Sequence, residues 1–495
     1  MLVARLTDYS TTLLFLLLGR DSANTGSLPC STLSNLLPRK VSYPASSSYT
    51  SSILSYFFLQ EHLAPACILT PSSTSDVAIA IAALSSIHSI YPAAIDLSIR
   101  SGGHSPVKGA ANNNGGITID LRALDSIDVS QDQTVVSVGA GTLWNATYAK
   151  LDPLNISVSG GRVAGIGAGG FLTGGGISFF SPQRGWACDG VIGMEVVLAS
   201  GKVVNASAQS HPDLFQALKG GSNNFGVVTR FELATFALGD FLGGARIFPS
   251  STVPQQLQAF NTFMQPENFD EKATAISGYI YDGPIGQQLV SIEVEYSLPV
   301  LDPVALQPFL NISGALIDSM RISNLSDFTS ELATDQALNS RGIYVNTVFS
   351  PTLAVLEEIY ALWNSSIPLI TGIDNVQYGL LLQRLPATIL GNNNSLGLGP
   401  SAVFDTLCLL SVTWTNATDD ELIYNTTQTL INQISNVTKA ACLFNDFEYL
   451  NYAAFFQDPL DGYGTANFDN LITASKQYDP LGFFQSGVPG GFKLK

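Results

Sequence analysis

The octapeptide Ile99-Arg100-Ser101-Gly102-Gly103-His104-Ser105-Pro106 puts one of only four histidines inside a tight glycine loop. Ala94–Ile99 before it is apolar and β-branched enough to predict a buried strand. The two glycines let the backbone turn sharply and gather several N–H groups around an anion. A histidine at the tip of such a loop stands where a phosphate-bearing cofactor would lie. Taken alone, the same octapeptide also reads as a glycine turn between two strands with an idle histidine, because short glycine motifs recur by chance.

A second stretch shifts that balance. Ser159–Asp189 holds nine glycines between Gly160 and Gly176, interleaved with Val163, Ile166, Phe171 and Leu172, and runs into the aromatic segment ending in Trp186. Flexible linkers lack such apolar residues. The pattern describes backbone packed against a large flat ligand, with glycine wherever a Cβ would collide.

Together the two stretches resemble the FAD-linked oxidoreductases of the vanillyl-alcohol oxidase type, in the berberine-bridge-enzyme-like branch. Arg100 to His104 is similar to that family's pyrophosphate loop, whose histidine is joined covalently to the flavin 8α-methyl group. Val136 to Thr142 is similar to its second cofactor strand, and Gly174-Gly175-Gly176 with Gly185, Asp189 and Gly190 to its third. Tyr449-Leu450-Asn451-Tyr452 resembles the closing Tyr-x-Asn-Tyr motif, and Asp479-Pro480-Leu481-Gly482-Phe483-Phe484 the final Asp-Pro turn. Gly220–Thr229 resembles the run that holds adenine and ribose, though it also reads as a helix C-cap followed by a strand.

The resemblance implies an α+β fold: a two-subdomain FAD-binding domain of the PCMH type plus an antiparallel-sheet substrate domain flanked by helices. The divisions expected are 1–25 as a signal peptide, 30–236 for FAD, 237–444 for substrate, and 445–495 returning to the FAD domain. FAD is expected to contact Arg100, Ser101, Gly102, Gly103, His104, Ser105, Gly139, Thr142, Val163, Ile166, Gly169, Gly170, Gly174, Gly175, Ser178, Asp189, Val191, Val228 and Asn451. Many members carry a cysteine, which makes a second flavin bond, where this chain has Val163. The resemblance therefore implies a single 8α-histidyl link through His104.

Flavin chemistry of this type takes a hydride from a carbon bearing oxygen or nitrogen, while the protein orients the substrate and tunes the ring. Within the family, the residue at Ile166 influences oxygen access. Ile166 is bulkier than the valine of efficient oxidases, so O2 is the expected acceptor with a slow-oxygen dehydrogenase as the alternative. A base is also expected. Near Leu396–Thr406, where some relatives carry a glutamate, the only acid is Asp405. Tyr452 is the favoured base, with a core or flavin-contact role as its alternative, and Tyr449 ranks behind it. The expected substrate is a small alcohol, sugar or secondary metabolite. A flavin-fold glycoprotein without turnover is the competing reading, motivated by the missing glutamate.

The rest of the chain bounds these readings. Its 495 residues allow two or three domains. The hydrophobic content of 46% against 12% charged residues describes a globular protein. A net charge of −17 argues against nucleic acid or an anionic membrane as partner. A monomer working in mildly acidic surroundings is expected. No Gly-x-Gly-x-x-Gly follows a strand with an acid about 20 residues later, which argues against a nicotinamide dehydrogenase. His62, His88 and His211 are isolated, with no metal-ligand spacing.

Leu13–Leu18, following Arg5 and Asp8, is too short to span a bilayer and reads as a signal-peptide core. Asn-x-Ser/Thr occurs at Asn145, Asn155, Asn205, Asn311, Asn324, Asn364, Asn393, Asn416, Asn425 and Asn436, as suits a secreted glycoprotein. Of the five cysteines, the resemblance implies a Cys30–Cys67 disulfide. Cys408 and Cys442 form a possible second pair, and Cys188 reads as a buried free thiol.

Overall fold

The structure is a computed structural model that describes residues 28–334, 339–389 and 394–494. The expected signal segment and the sequon residue Asn393 lie outside these residues. The first sheet has four strands, with Val41–Ser42 antiparallel at its edge and three short apolar runs beside it: β1 (Cys67–Leu69), β2 (Leu97–Arg100) and β3 (Ile117–Asp120), which lies between β1 and β2 and pairs parallel with both. Helix α1 (Thr74–Ile90) crosses from β1 to β2, capped by the Ser73 side chain accepting from the Asp76 N–H. Val77, Ala80, Ile81 and Leu84 recur at helical spacing and are buried. The expected strand from Ala94 is shorter than its apolar run. Pro92 fixes its own φ and opens a 3₁₀ turn over Pro92–Ala94, so β2 begins only at Leu97.

The second sheet of the FAD-binding half has five antiparallel strands. At its centre lie β4 (Val135–Gly139), β5 (Val191–Val197) and β6 (Val227–Ala234), with β6 between the other two. Between β4 and β5 the glycine stretch forms the short helix α2 (Ala168–Thr173).

The Ser- and Pro-rich lead-in after Cys30 is more ordered than its composition implies. It forms helices over Leu28–Leu36 and Ser47–Leu54, the latter capped by the Ser46 side chain accepting from the Tyr49 N–H. Cys30 and Cys67 are joined in a disulfide, which ties this segment to β1. Cys408 and Cys442 are not paired. Cys408 is buried in a strand of the substrate sheet, whereas Cys442 is exposed beyond the end of helix Asp420–Ala440. Cys188 is free and buried.

The substrate half is one antiparallel sheet whose long strands are β7 (Phe241–Pro249), β8 (Ala273–Asp282), β9 (Gln287–Tyr296), β10 (Arg341–Phe349), β11 (Gln377–Arg384) and β12 (Thr406–Trp414). They lie side by side in the order β7, β9, β8, β11, β12, β10. Alternation gives this sheet two faces. Val290, Ile292 and Val294 of β9 join Phe260, Leu356 and Ile434 in a core under helices Val253–Met264, Leu353–Ser366 and Asp420–Ala440. Ser291, Glu293 and Glu295 point the other way, toward the FAD-binding half. Over residues 303–311 the chain forms a 3₁₀ turn at Val304–Leu306 and one α-turn at Gln307–Leu310, with Pro308 unable to continue the hydrogen-bond ladder.

The last segment packs on the first half. Leu460, Leu471, Phe483 and Phe484 share a core with Val77, Leu84 and Phe225. Asp479 accepts from the N–H groups of Phe483 and Phe484 at 2.9 and 2.7 Å, which closes the Asp-Pro turn.

Candidate functional site

A cavity of about 400 Å3 separates the glycine loops from the substrate sheet. Its floor is the 99–106 loop, which is fastened from beneath. Arg100 is fully buried, donates to the carbonyls of Ser52 and Ser55 at 2.7 and 2.8 Å, and stacks over the Tyr56 ring. Asp120 lies 3.8 Å from its guanidinium, and Arg122 and Ser52 help hold that carboxyl below the usual range against its burial. Arg100 thus positions the loop rather than lining the cavity, contrary to the expectation that it contacts the cofactor.

The loop is stitched to α2. Ser101 Oγ donates to the Ala140 carbonyl at 2.7 Å and accepts from the Gly169 N–H at 3.1 Å. A Cβ on Gly102 would lie 2.6 Å from the Gly167 nitrogen, so glycine is required there by backbone packing. Gly103 has φ +77° and is required by conformation. Both place His104 at the cavity wall, its ring 4.2 Å from that of Phe57. Burial pushes the imidazole down to about 4, which favours the uncharged ring at neutral pH.

Of the residues named from the sequence, Ser101, Gly102, Gly103, His104, Ser105, Val163, Ile166, Gly169, Gly170, Val228, Asn451, Tyr449 and Tyr452 line the cavity. Gly139, Thr142, Gly174, Gly175, Ser178, Asp189 and Val191 do not line it, and each has a packing reason. A Cβ on Gly139 would meet the Leu124 carbonyl at 2.1 Å, and the Thr142 carbonyl accepts from the Ala168 N–H. Gly174 and Gly175 make room for Asn451 and Trp186. The Ser178 N–H donates to Ser181 Oγ, and Asp189 accepts from the Trp186 N–H and from Asn394. Val191 is core. These residues shape the second layer behind the cavity.

The same wall answers whether a flavin-sized group fits. Within α2, Gly169 would crowd Ser101 at 3.0 Å if it carried a Cβ, but next to it Gly170 has nothing within 4 Å of where a Cβ would stand. The chain keeps that wall bare toward open space, as a flat cofactor requires. The residues present therefore fit FAD.

The C-terminal motif closes one end. Asn346 of β10 clamps it, accepting from the Tyr449 N–H and donating to the Tyr449 carbonyl. Tyr449 is buried, and its hydroxyl accepts from the Gly176 N–H at 3.1 Å and from Asn451 at 3.0 Å. Burial raises its pKa. Tyr449 is thus held in place at both its backbone and its hydroxyl. Tyr452 packs edge-on against Tyr344 and Tyr449, and its hydroxyl oxygen accepts from Arg162 at 3.1 Å.

The roof was less legible. Neighbouring strands supply Glu293, Ile276, Leu381, Leu409 and Ser411, and Tyr344, in three successive rows that step diagonally across one face of the sheet. Ile276 is opposite Glu293, Leu381 opposite Leu409, and Tyr344 opposite Ser411. Asp405 is outside these rows and is occupied by Ser350 and Asn445. Sequence reasoning missed Arg162, Glu293, Glu295 and Tyr344. The alternation in Ile292-Glu293-Val294-Glu295 was the available signal, since it puts two carboxyls on one face of a strand.

The family described as FAD binding domain matches residues 65–207. The FAD-dependent monooxygenase CTB5 of Cercospora beticola is 32% identical over 481 residues, covering 94% of this chain and 91% of that protein. The FAD-dependent monooxygenase sdcF of Emericella nidulans is 31% identical over 485 residues, covering 95% and 99%. Among solved structures, 6-hydroxy-D-nicotine oxidase from Arthrobacter nicotinovorans superposes with a TM-score of 0.76 at 20% identity, covering 92% of this chain and 97% of that one. Xylooligosaccharide oxidase from Myceliophthora thermophila does so with 0.76 at 20% identity, covering 94% and 99%. Both share the fold.

Proposed function

The chain belongs to the FAD-linked oxidoreductases of the vanillyl-alcohol oxidase type, in the berberine-bridge-enzyme-like branch, and on that premise we propose that it oxidises a small, apolar-bodied fungal secondary metabolite. FAD is joined to His104 by a single 8α-histidyl bond, and O2 is the terminal acceptor. The observation that carries this reading is His104 held at the cavity wall by the Gly102-Gly103 turn, in the same cavity where Gly170 leaves open space for a flat group. Ser101 to Ser105, Val163 to Gly170, Val228 and Asn451 hold the cofactor. Bound there, FAD supplies a two-electron acceptor that takes a hydride from the substrate carbon and yields both electrons to O2 as hydrogen peroxide.

The chain's own side chains do the rest. Ile276, Leu381, Leu409 and Tyr344 offer the substrate an apolar roof and exclude water from it. That lining favours a flat apolar body over a polyhydroxylated sugar, despite the shared fold with xylooligosaccharide oxidase. The Tyr452 oxygen already accepts from Arg162, so its own O–H is available to donate to the substrate oxygen and fix its direction. The reading without turnover rested on a missing glutamate, and Glu293 supplies a carboxyl in the cavity. Ile166 at the cavity wall keeps the slow-oxygen dehydrogenase as a second reading.

The same proposal includes a secreted monomer with divisions at 30–236, 237–444 and 445–495. The disulfide supports secretion, and the sequon asparagines among the described residues are all exposed. The test is anaerobic mixing of the purified protein with aryl alcohols, alkyl alcohols and xylobiose, followed by admission of air. Bleaching of the flavin by aryl or alkyl alcohols and its recovery with peroxide in air is the expected result. Bleaching by xylobiose alone overturns the apolar assignment, and recovery that needs an added dye selects the dehydrogenase.

A further inference from the structure

Two carboxyls of β9 stand on the cavity side of the substrate sheet with no partner strand of opposite charge. Across the sheet from Glu295 are Gly243 and Thr274, and across from Glu293 are Ala245 and Ile276, all uncharged. Gly243 is needed for space, because a Cβ there would meet Glu295 at 3.2 Å and Phe328 at 3.0 Å. Glu295 is 3% exposed, while Glu293 reaches the cavity. The two carboxyls are two residues apart on one face of the strand, close enough for the charge of Glu293 to act on Glu295.

Two like charges this close in a buried site oppose each other's ionisation, which favours one proton on the pair. Burial, then the negative charge of Glu293, raises the Glu295 pKa well above the carboxylate range, against the pull of Arg162. Glu331 on helix Leu325–Thr334 adds to the rise and is itself paired with Arg321. Burial works to lower the Arg162 pKa, but Tyr452, Glu293 and Glu295 outweigh it and leave the guanidinium firmly charged. One proton on the pair and one cation beside it give a cluster of zero net charge, which a buried site tolerates.

We propose that Glu293 is the catalytic proton acceptor of the oxidation, with Glu295 and Arg162 as the positioning residues that aim it at the substrate hydroxyl. This rests on the FAD-linked oxidation proposed above. As the substrate carbon gives its hydride to the flavin, the O–H bond of the same carbon breaks and its proton passes to Glu293, forming the carbonyl product. The pair then holds two protons and loses one to solvent when product leaves. Hydride and proton together are the two hydrogens that leave with O2 as peroxide. A glutamate on β9 does what was expected of Tyr452, and Tyr452 orients the substrate oxygen.

Three proteins decide this: wild type, Glu293→Gln and Glu295→Gln, each as holoenzyme and each checked for flavin retained after acid precipitation. Infrared spectra of protein carrying carbon-13-labelled glutamate are read at neutral pH, and flavin reduction by 4-methoxybenzyl alcohol is followed anaerobically. A protonated-carboxyl band of the pair is expected in the wild type and lost from both variants in the difference spectra, over the band of buried Glu61 that all three proteins share. Reduction by the probe is expected to fall about 10²–10⁴-fold in Glu293→Gln, the usual worth of a positioned base, with probe affinity unchanged. Glu295→Gln is expected to keep reduction within about tenfold while moving its pH profile, because Gln donates a hydrogen bond but holds no titrating proton. A missing band, or Glu293→Gln reduced at the wild-type rate, overturns the proposal. Wild-type flavin that is retained but not reduced by the probe also overturns it, and leaves the flavin reading standing. Protein without flavin fails that reading instead, and the carboxyl band still judges the pair.

Discussion

Adjacent glycines in one helix make opposite demands, and this gives a prediction with a worked magnitude. Gly170 has open space where its Cβ would stand, and it lies inside α2. Gly170→Ala should therefore stabilise the folded chain by about 0.5–1 kcal/mol through helix propensity. An unfolding entropy of roughly 2.1 cal/mol/K per residue over 495 residues is about 1 kcal/mol/K, so Tm rises by at most about 1 °C. Gly170→Leu should be equally folded but project its side chain into the cavity, and the flavin-to-protein ratio should collapse.

Gly102→Ala is the counterpart. Its Cβ would stand 2.6 Å from the Gly167 nitrogen and 2.9 Å from its Cα, both backbone atoms. Carbon contacts settle at about 3.5–4.0 Å, so the two loops must part by about 1 Å, and overpacking of this kind costs about 1–3 kcal/mol. Tm should fall by about 1–3 °C on the same entropy, with flavin loss as a consequence of the shifted loop. The assay is thermal unfolding beside visible absorbance of the same samples. Full flavin content in Gly170→Leu would refute the assignment of that wall to the cofactor, whatever its Tm.

Replacing both Cys30 and Cys67 by Ser opens a loop spanning 37 residues of sequence separation, which the chain-entropy relation values at about 4 kcal/mol; urea unfolding with an unchanged midpoint would contradict it. Burial pushes the Glu61 carboxyl up to about 8 against the N–H groups of Gly109, Ala111 and Asn112 that hold it. Between its ordinary pKa of 4.5 and about 8 the folded state binds the extra proton, so wild-type stability falls as pH rises through that window, and Glu61→Gln should flatten the fall. Parallel stability curves for the two proteins would refute the burial of that charge. Tyr452→Phe removes the acceptor of one Arg162 hydrogen bond, worth about 1.5 kcal/mol to a charged group, so flavin reduction should slow by about tenfold with flavin retained. A loss of a thousandfold would make Tyr452 the base instead.

What the sequence disclosed and what it withheld divide along a physical line. The 99–106 loop and the glycine stretch were legible because glycine there answers local demands, a φ of +77° at Gly103 and backbone contact at Gly102. The Tyr-x-Asn-Tyr motif was legible for the same reason, being short and contiguous. Arg100 was read together with its neighbours as a cofactor contact, and its guanidinium turns beneath the loop to Ser52 and Ser55. Asp189 and Ser178 turn into the packing behind the cavity: proximity in sequence to the cavity does not give the direction of a side chain. The roof was hidden because it is assembled sideways. Glu293, Ile276, Leu381 and Tyr344 are far apart in sequence and meet only through strand register. The strands at Phe241–Pro249 and Gln377–Arg384 went unseen for a related reason, since Gly243-Gly244 and Gly379 dilute the apolar alternation that would have marked them.

The central claim is that His104 carries the flavin, alone. Protein from a secretory host is precipitated with acid, the pellet and supernatant are read for flavin absorbance, and the pellet is digested for peptide masses. The account predicts yellow colour in the wild-type pellet, a flavin mass on the peptide containing His104 and none on that containing Val163, and a colourless pellet for His104→Ala. Flavin found only in the wild-type supernatant, or bound to any other peptide, would contradict it.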